Sequence, residues 1–540
     1  MSYIDKLAWA VPMLCVAACL NGSAALAQAC YTPPMPRPLT AEQLKTLVIT
    51  DRVILDRPEF SFGNALGAII NSSAPGKVQD GPAERVALLA SMMRSFRITE
   101  RINPESGLNL RVKARPNEAA LDPIKLLATG PGGMKPIALF NRWDLAPDDF
   151  KHCGEHRIVF ARESDPADKP PSRFFLIFEA AVDNPHPAND KSGCRGIVHF
   201  WKGLEGKNAN AAGEDLAKFY FAGLDSNADG QPDFQPVIHA QHFGAPYGQV
   251  RGNIFMTQGD VPGNPWQLRE WRVSLGADGA PIFATDTVKK NPHPKLYDDV
   301  TDNEIEGGFD GARRAFAAEF LASYLAELTE LDPRSATMPA SGNDLIAGVG
   351  ANFHGRFDTF TSVSQGRGED PENLAKSLKT ALGDALKSTP VPPACGLTAE
   401  HILARAGTIS CGGCHQFSAN REIAPGVPWP PLASGGFVHV REDGELSPAL
   451  LNHLLPARRD ILMQDFPIVV AAPAPAPVPP PAAAGAATPA DAREALNRVQ
   501  ASENRLDAIE ALRDFESQVQ TIRQGEAQKP GAFVRYRRVH

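Results

Sequence analysis

Between Ala471 and Pro481 the chain reads Ala-Ala-Pro-Ala-Pro-Ala-Pro-Val-Pro-Pro-Pro. Proline fixes φ and removes a backbone donor, so such a run favours an extended polyproline rod and cannot build a core. The chain must therefore fold in pieces on either side of a linker, read here as residues 467–487. Beyond the linker, Thr488-Pro489 is a helix start, with threonine as cap and proline in the first turn. Leu496, Val499, Leu506, Ile509, Leu512, Phe515, Val519 and Ile522 follow at spacings mostly of three and four, interrupted at Glu503. The pattern predicts an amphipathic helix over 488–526, whose stripe must be buried on its own chain or on a partner helix. A basic tail, 527–540, follows.

The other end of the chain reads as an address. Lys6 is the only basic residue among the first thirty, and 14 apolar or small residues follow from Leu7 to Leu20. Ala25 and Ala27 stand at −3 and −1 before Gln28. That order is a secretory signal peptide over 1–27, too short for the ~20 residues that a membrane span needs. Val16-Ala17-Ala18-Cys19 also fits a lipobox, so a lipid anchor on Cys19 is the competing reading. The expected location is periplasmic or secreted, within the cell envelope.

With 540 residues, about two to four domains are expected. The 54 basic and 62 acidic side chains leave a net charge of −8 without a concentrated basic face, which argues against nucleic acid as partner. Residues 31–390 read as one large α+β region, with two packed subdomains as an option. Ala41–Val48 and Ala83–Met93 have helical spacing, and Asn303–Glu330 reads as a long amphipathic helix. Strands are expected at Arg157–Ala161, Phe174–Phe178, Gly196–Phe200, Trp266–Val273 and Ile282–Ala284.

Export makes the cysteines informative. Removing Cys15 and Cys19 with the signal leaves Cys30, Cys153, Cys194, Cys395, Cys411 and Cys414. Cys411-Gly412-Gly413-Cys414-His415 is the Cys-x-x-Cys-His pattern of covalent haem c attachment. Two thiols add to the two haem vinyl groups, and the adjacent histidine is placed against the iron. A thiol–disulfide site would use the same cysteine pair but needs a thioredoxin-like setting, and a zinc site needs further ligands. Of the remaining four cysteines, Cys153 and Cys194 lie beside strand-like runs and are the favoured disulfide. Cys30 with Cys395 follows by elimination.

The segment around this motif resembles the c-type cytochrome domain, over roughly 395–466, giving a unit of 392–466. Leu397–Ala406 is similar to the helix that leads into the attachment motif. Ala424-Pro425-Gly426 is similar to the Gly-Pro segment that orients the proximal histidine, and Leu446–Leu451 opens a further helix. The segment departs from the family at Ala424, in the proline-rich Val427–Pro431, and in having no distal-ligand loop. The resemblance implies a small all-α cytochrome c-like domain holding one covalent haem c. Cys411 and Cys414 would be the thioether anchors and His415 the proximal ligand. Met463, 48 residues beyond His415, is the candidate distal ligand, with His439, His453 or an open iron as alternatives.

Three further groupings stand out. Asp225, Asn227, Asp229 and Asp233 resemble the first positions of an EF-hand calcium loop, but Pro236 stands where the closing glutamate belongs. Asn141-Arg142-Trp143-Asp144 and Glu155-His156-Arg157 could line a cleft, with Glu155 or His156 as acid or base, or else form buried ion pairs. His239 and His242 are spaced for a metal or for a loop. The whole chain thus reads as multidomain: a large α+β region, a small haem domain, a Pro/Ala linker and a C-terminal amphipathic helix. The expected function is that of an exported c-type haem protein transferring single electrons to an unidentified redox partner. The alternatives are a haem-dependent oxidoreductase with its substrate site in the N-terminal region, and a non-haem envelope binding protein.

Overall fold

The computed structural model describes residues 37–98, 100–102, 110–112, 114–147, 149–167, 173–186, 190–244, 247–256, 267–292, 309–323, 325–329, 358–359, 382–386, 396–408, 421–429 and 438–466. The signal, the Cys30–Cys395 pair, the attachment motif, the linker, the C-terminal helix and the tail lie outside them. What is described is a mixed α/β body on a seven-stranded sheet. The strands are β1 (Val48–Ile49), β2 (Met134–Arg142), β3 (His152–Arg162), β4 (Phe174–Asp183), β5 (Gln249–Ile254), β6 (Gln267–Leu275) and β7 (Pro281–Asp286). They lie side by side in chain order, and every neighbouring pair is antiparallel.

Period-two alternation gives this sheet two different faces. His156, Ile158 and Phe160 of β3 pair in register with Ala180, Phe178 and Leu176 of β4, and β4 passes Phe178 on to Val250 of β5 and thence to Trp271 of β6. Helices cover this apolar face. α1 (Phe62–Ser73) starts where the Ser61 hydroxyl accepts from the Asn64 amide, and α2 (Pro82–Arg94) opens on a proline. Phe62 meets Phe160 and Phe178 edge-on at 5.1 and 6.3 Å between ring centroids. Past the end of α2, Phe96 meets Trp271 in the same way at 5.7 Å. α3 (Arg195–Lys202) and α4 (Ala209–Phe221) bring Trp201 and Phe219 against His156.

The opposite face sets buried charges among apolar residues. Glu155, Glu179, Arg251 and Glu270 point there beside Val159, Ala161 and Phe175, and are all nearly inaccessible to solvent. They are tolerated because each is paired, as described below.

Several expectations change. Gly196–Phe200 is not a strand but part of α3. So short a run, Gly-Ile-Val-His-Phe, is ambiguous between strand and buried helix, and here Ile197, Val198 and Trp201 form one buried helical stripe. Gly196 lets that helix sit close to the 225–234 loop, since a Cβ there would fall 2.5 Å from the Cβ of Ser226. The helix expected over Ala41–Val48 stops at Leu44, and Val48–Ile49 joins the sheet edge. The described part of the 303–330 helix runs Phe309–Ser323 and Leu325–Leu328, burying Phe316, Phe320, Leu325 and Leu328. Nor is the described part of 392–466 purely helical. It holds α5 (Ala399–Thr408), an antiparallel hairpin of Arg421–Ala424 with Val427–Trp429, and α6 (Leu455–Gln464). Pro425-Gly426 supplies the hairpin turn, with Gly426 at φ +71°, where the resemblance suggested a histidine-orienting loop.

One backbone position is unusually unforgiving. Gly248, entering β5 at φ +73°, has the His242 carbonyl oxygen 1.8 Å from where a Cβ would lie. Both the left-handed conformation and the contact exclude a side chain. Gly248→Ala should cost about 3 kcal/mol or more, read as a lower urea midpoint at unchanged slope.

Candidate functional site

Around the attachment motif, the described residues are those that lead into it and those that follow. Residues 438–466 are clamped to the sheet body. Asp465 accepts from Trp143 Nε1 at 2.7 Å and pairs with Lys191. The Lys202 ammonium donates to the carbonyls of Asp465 and, at 3.0 Å, Phe466. Arg173 pairs with Glu442, and Arg37 with Asp460. Leu450, Leu454, Leu455 and Leu462 belong to the same continuous apolar core as the sheet and its helices.

Within this clamped segment the helix is wound irregularly. Leu450–Leu454 is a single π-turn immediately before α6. Its cause is Pro456, which has no N–H to offer the Asn452 carbonyl four residues earlier and whose ring would clash with it. Widening the turn relieves the clash, the Leu455 amide reaches back five residues to the Leu450 carbonyl, and the released Asn452 carbonyl accepts from the Arg37 amide at 3.1 Å.

His453 lies in that turn. It is buried, and its Nε2 has no hydrogen-bond partner. Burial pushes its pKa below the usual histidine value, which favours the neutral ring. The other ligand candidates are placed differently. Met463 is only half-buried on α6. The His439 amide donates to Ser447 Oγ at 3.1 Å. His401 acts as a local cap, its Nδ1 accepting from the Thr398 amide at 3.1 Å, with Nε2 3.7 Å from Glu422. A neutral imidazole with an unpartnered ring nitrogen is a donor type that a haem iron takes, and His156 and His242 carry the same feature.

The second candidate, the run of polar residues around Cys153, is an ion-pair network and not a cleft. Arg142 holds Asp144 through two nitrogens, with Nη2 to Oδ2 at 2.8 Å. Burial alone would raise the Asp144 carboxyl, but Arg142, Arg458 and Arg157 outweigh it and hold it below the ordinary carboxylate range. Asn141 donates to the Thr46 carbonyl at 3.0 Å and accepts from the Trp143 amide at 3.0 Å. Arg157 pairs with Glu155 and, at 3.0 Å, with Glu179. Arg251 continues the chain to Glu179 at 3.1 Å and to Glu270 at 2.9 Å.

His156 is not available as an acid or base. It is stacked on Trp201 and accepts from the Trp201 indole at Nδ1, 3.1 Å away. Burial, reinforced by His242 and His152, pushes its pKa down to about 3. His242 is pushed down to about 4, again chiefly by burial. Both are neutral when folded and take a proton when unfolded below pH about 6.5. Their contribution is therefore complete above pH about 6.5 and is lost as pH falls toward their folded values. Each should remove on the order of 3 kcal/mol by pH 4. Urea titrations from pH 7 to pH 4.5 should show stability falling along a slope that approaches uptake of two protons on unfolding.

The 225–233 loop is satisfied from within. Asp225 accepts from the Asp229 and Gly230 amides at 3.2 and 2.8 Å, and Asp233 from the Ser226 amide at 2.7 Å and Asn227 Nδ2 at 3.1 Å. The Asp229 and Asp233 carboxylates both accept from Asn227 Nδ2, each at 3.1 Å, and among the described residues no group of three or more His, Cys, Asp or Glu side chains is arranged to hold a metal. His239 and His242 stand with ring centroids 5.6 Å apart without a third ligand of that kind. Cys153 and Cys194 are joined, with Cα atoms 5.3 Å apart, tying β3 to the start of α3. No described helix is long and apolar enough to cross a membrane.

Sequence reasoning anticipated the disulfide and noted His453, but missed the clamp on Asp465. Pro456 was the available signal for an irregular turn at that place. Comparison with protein-family models, with curated proteins and with solved structures returned no match.

Proposed function

We propose that the chain is an exported c-type haem protein of the cell envelope, transferring one electron at a time through a covalently attached haem. The observation that carries this is Cys411-Gly412-Gly413-Cys414-His415, which supplies two thiols and an imidazole at the required spacing. The finer reading, a cytochrome c-like unit over 392–466 that includes a hairpin, belongs to the same proposal. Bound haem supplies an iron couple whose potential is set by its axial ligands and burial. Cys411 and Cys414 hold it, and His415 binds one side of the iron. The Cys153–Cys194 bond belongs to the same oxidising conditions in which haem c is attached.

The test is maturation of the full chain in a host that attaches haem c. The chain should carry haem through a denaturing gel, because thioether bonds survive unfolding. Cys411→Ala and Cys414→Ala should each weaken or abolish that signal, and His415→Ala should disturb iron ligation. A colourless chain from a host that matures other c-type cytochromes would overturn the proposal.

A further inference from the structure

We propose that residues 463–466 are a strained latch, which unfastens from Trp143, Lys191 and Lys202 while the sheet and the rest of α6 stay folded. The latch is independent of the haem reading. Its first ground is backbone strain. Among the described residues only Phe150, Ala228 and Phe466 combine a positive φ with a side chain, and Phe466 stands at +46°. A bulky residue seldom takes this left-handed conformation. Pro467 follows, and the residue before a proline is normally extended. Phe150, at φ +44°, shares the feature, and both rings pack on Trp143, at 6.3 and 6.4 Å between centroids. The strain is thus gathered around one indole. Such backbone persists only where its surroundings hold it.

The second ground is what does the holding. Asp465 accepts from Trp143 Nε1 at 2.7 Å and pairs with Lys191, and Lys202 donates to the carbonyls of Asp465 and Phe466. The Phe466 ring lies beneath two cations, with Lys191 Nζ at 5.9 Å and the Arg195 guanidinium carbon at 5.2 Å from its centroid. These are polar and cation–aromatic contacts. The apolar anchors of α6, Leu455 and Leu462, are buried upstream of them, whereas Met463 and Phe466 are half-buried and Gln464 is exposed. The core therefore fixes α6 as far as Leu462, and the last four residues are fastened separately.

A pull on the chain beyond Phe466 works against these contacts and is helped by the strain. Release frees residues 463–466, about 13 Å of chain when extended. The device is a reserve of slack between the folded body and whatever the following chain holds.

The experiment is residue-resolved hydrogen exchange on the full chain with the Cys153–Cys194 bond intact. The reporter is the Asp465 amide, which donates to the Ile461 carbonyl at 3.2 Å. In the wild type it should exchange about a hundredfold faster than the paired amides of β3 and β4, through an opening that low urea does not accelerate. Lys202→Met should speed the reporter about tenfold further and leave β3 and β4 unchanged. Lys191→Met, at a more exposed position, should act in the same direction and covers the case in which Lys202→Met folds poorly. Phe466→Ala and Phe466→Gly both lose the ring, but only alanine keeps the left-handed strain, so the reporter should exchange about fivefold more slowly in the glycine variant. Equal rates in these two variants would overturn the proposal. So would a wild-type reporter that exchanges only with the sheet, or lysine variants in which its rate is unchanged.

Discussion

Replacing Glu179 by alanine should cost about 3–5 kcal/mol, enough to remove a large part of the stability of an ordinary domain. Glu179 sits in the middle of the sheet with 1% of its surface exposed. It accepts from Arg157 Nη1 at 3.0 Å and Arg251 Nη1 at 3.1 Å, and from Gln249 Nε2. Deleting its carboxylate removes the anion shared by two guanidiniums, Arg157, still paired with Glu155, and Arg251, still paired with Glu270. The cost comes from that unbalanced charge and not from the worth of a salt bridge as such. The exposed Arg441–Glu445 pair is the control, and Glu445→Ala should change stability by less than about 1 kcal/mol. Urea denaturation of the two variants, at equal slope, reads the contrast directly. A loss below about 1 kcal/mol for Glu179→Ala would mean that water reaches this layer.

Breaking the Cys153–Cys194 bond should have an effect of similar size. The bond closes a loop with a sequence separation of 41, for which chain entropy alone gives about 4 kcal/mol. The loop contains all of β4 and the edge of β3 that carries His156, so opening it should also loosen the packing of Trp201 on His156. The paired substitution Cys153→Ala with Cys194→Ala should lower the denaturation midpoint without changing the sheet signature in circular dichroism. Alkylation of both thiols in folded, unreduced protein would contradict the bond altogether.

The sheet was legible where its strands carry runs of apolar and aromatic residues. Arg157–Ala161, Phe174–Phe178 and Ile282–Ala284 all fall within strands. β5 was not legible, because Gln249-Val250-Arg251-Gly252-Asn253-Ile254 reads as a polar turn unless one knows that Arg251 is paired on both sides. A buried charge ladder hides a central strand from any reading based on hydrophobicity. Glu155-His156-Arg157 left a cleft and buried ion pairs both open in sequence, and the ion pairs, the favoured reading, are what the fold holds. Gly196–Phe200 failed for another reason: a run of five residues carries too little periodicity to separate helix from strand.

In the segment proposed to carry haem, the attachment motif is a matter of local spacing, whereas architecture is not. The docking of 438–466 depends on contacts with residues hundreds of positions away. Trp143 and Asp465, which meet through the indole, are separated by 322 residues. Such pairings leave no periodic trace.

The measurement that tests the central claim most directly is the intact mass of the full chain, denatured after expression with a haem-attaching system and export. The account predicts a single species beginning at Gln28 and heavier than that polypeptide by one haem, with the added mass lost in the Cys411→Ala, Cys414→Ala double variant. A mass equal to the bare polypeptide, with Cys411 and Cys414 either free or joined to each other, would contradict it.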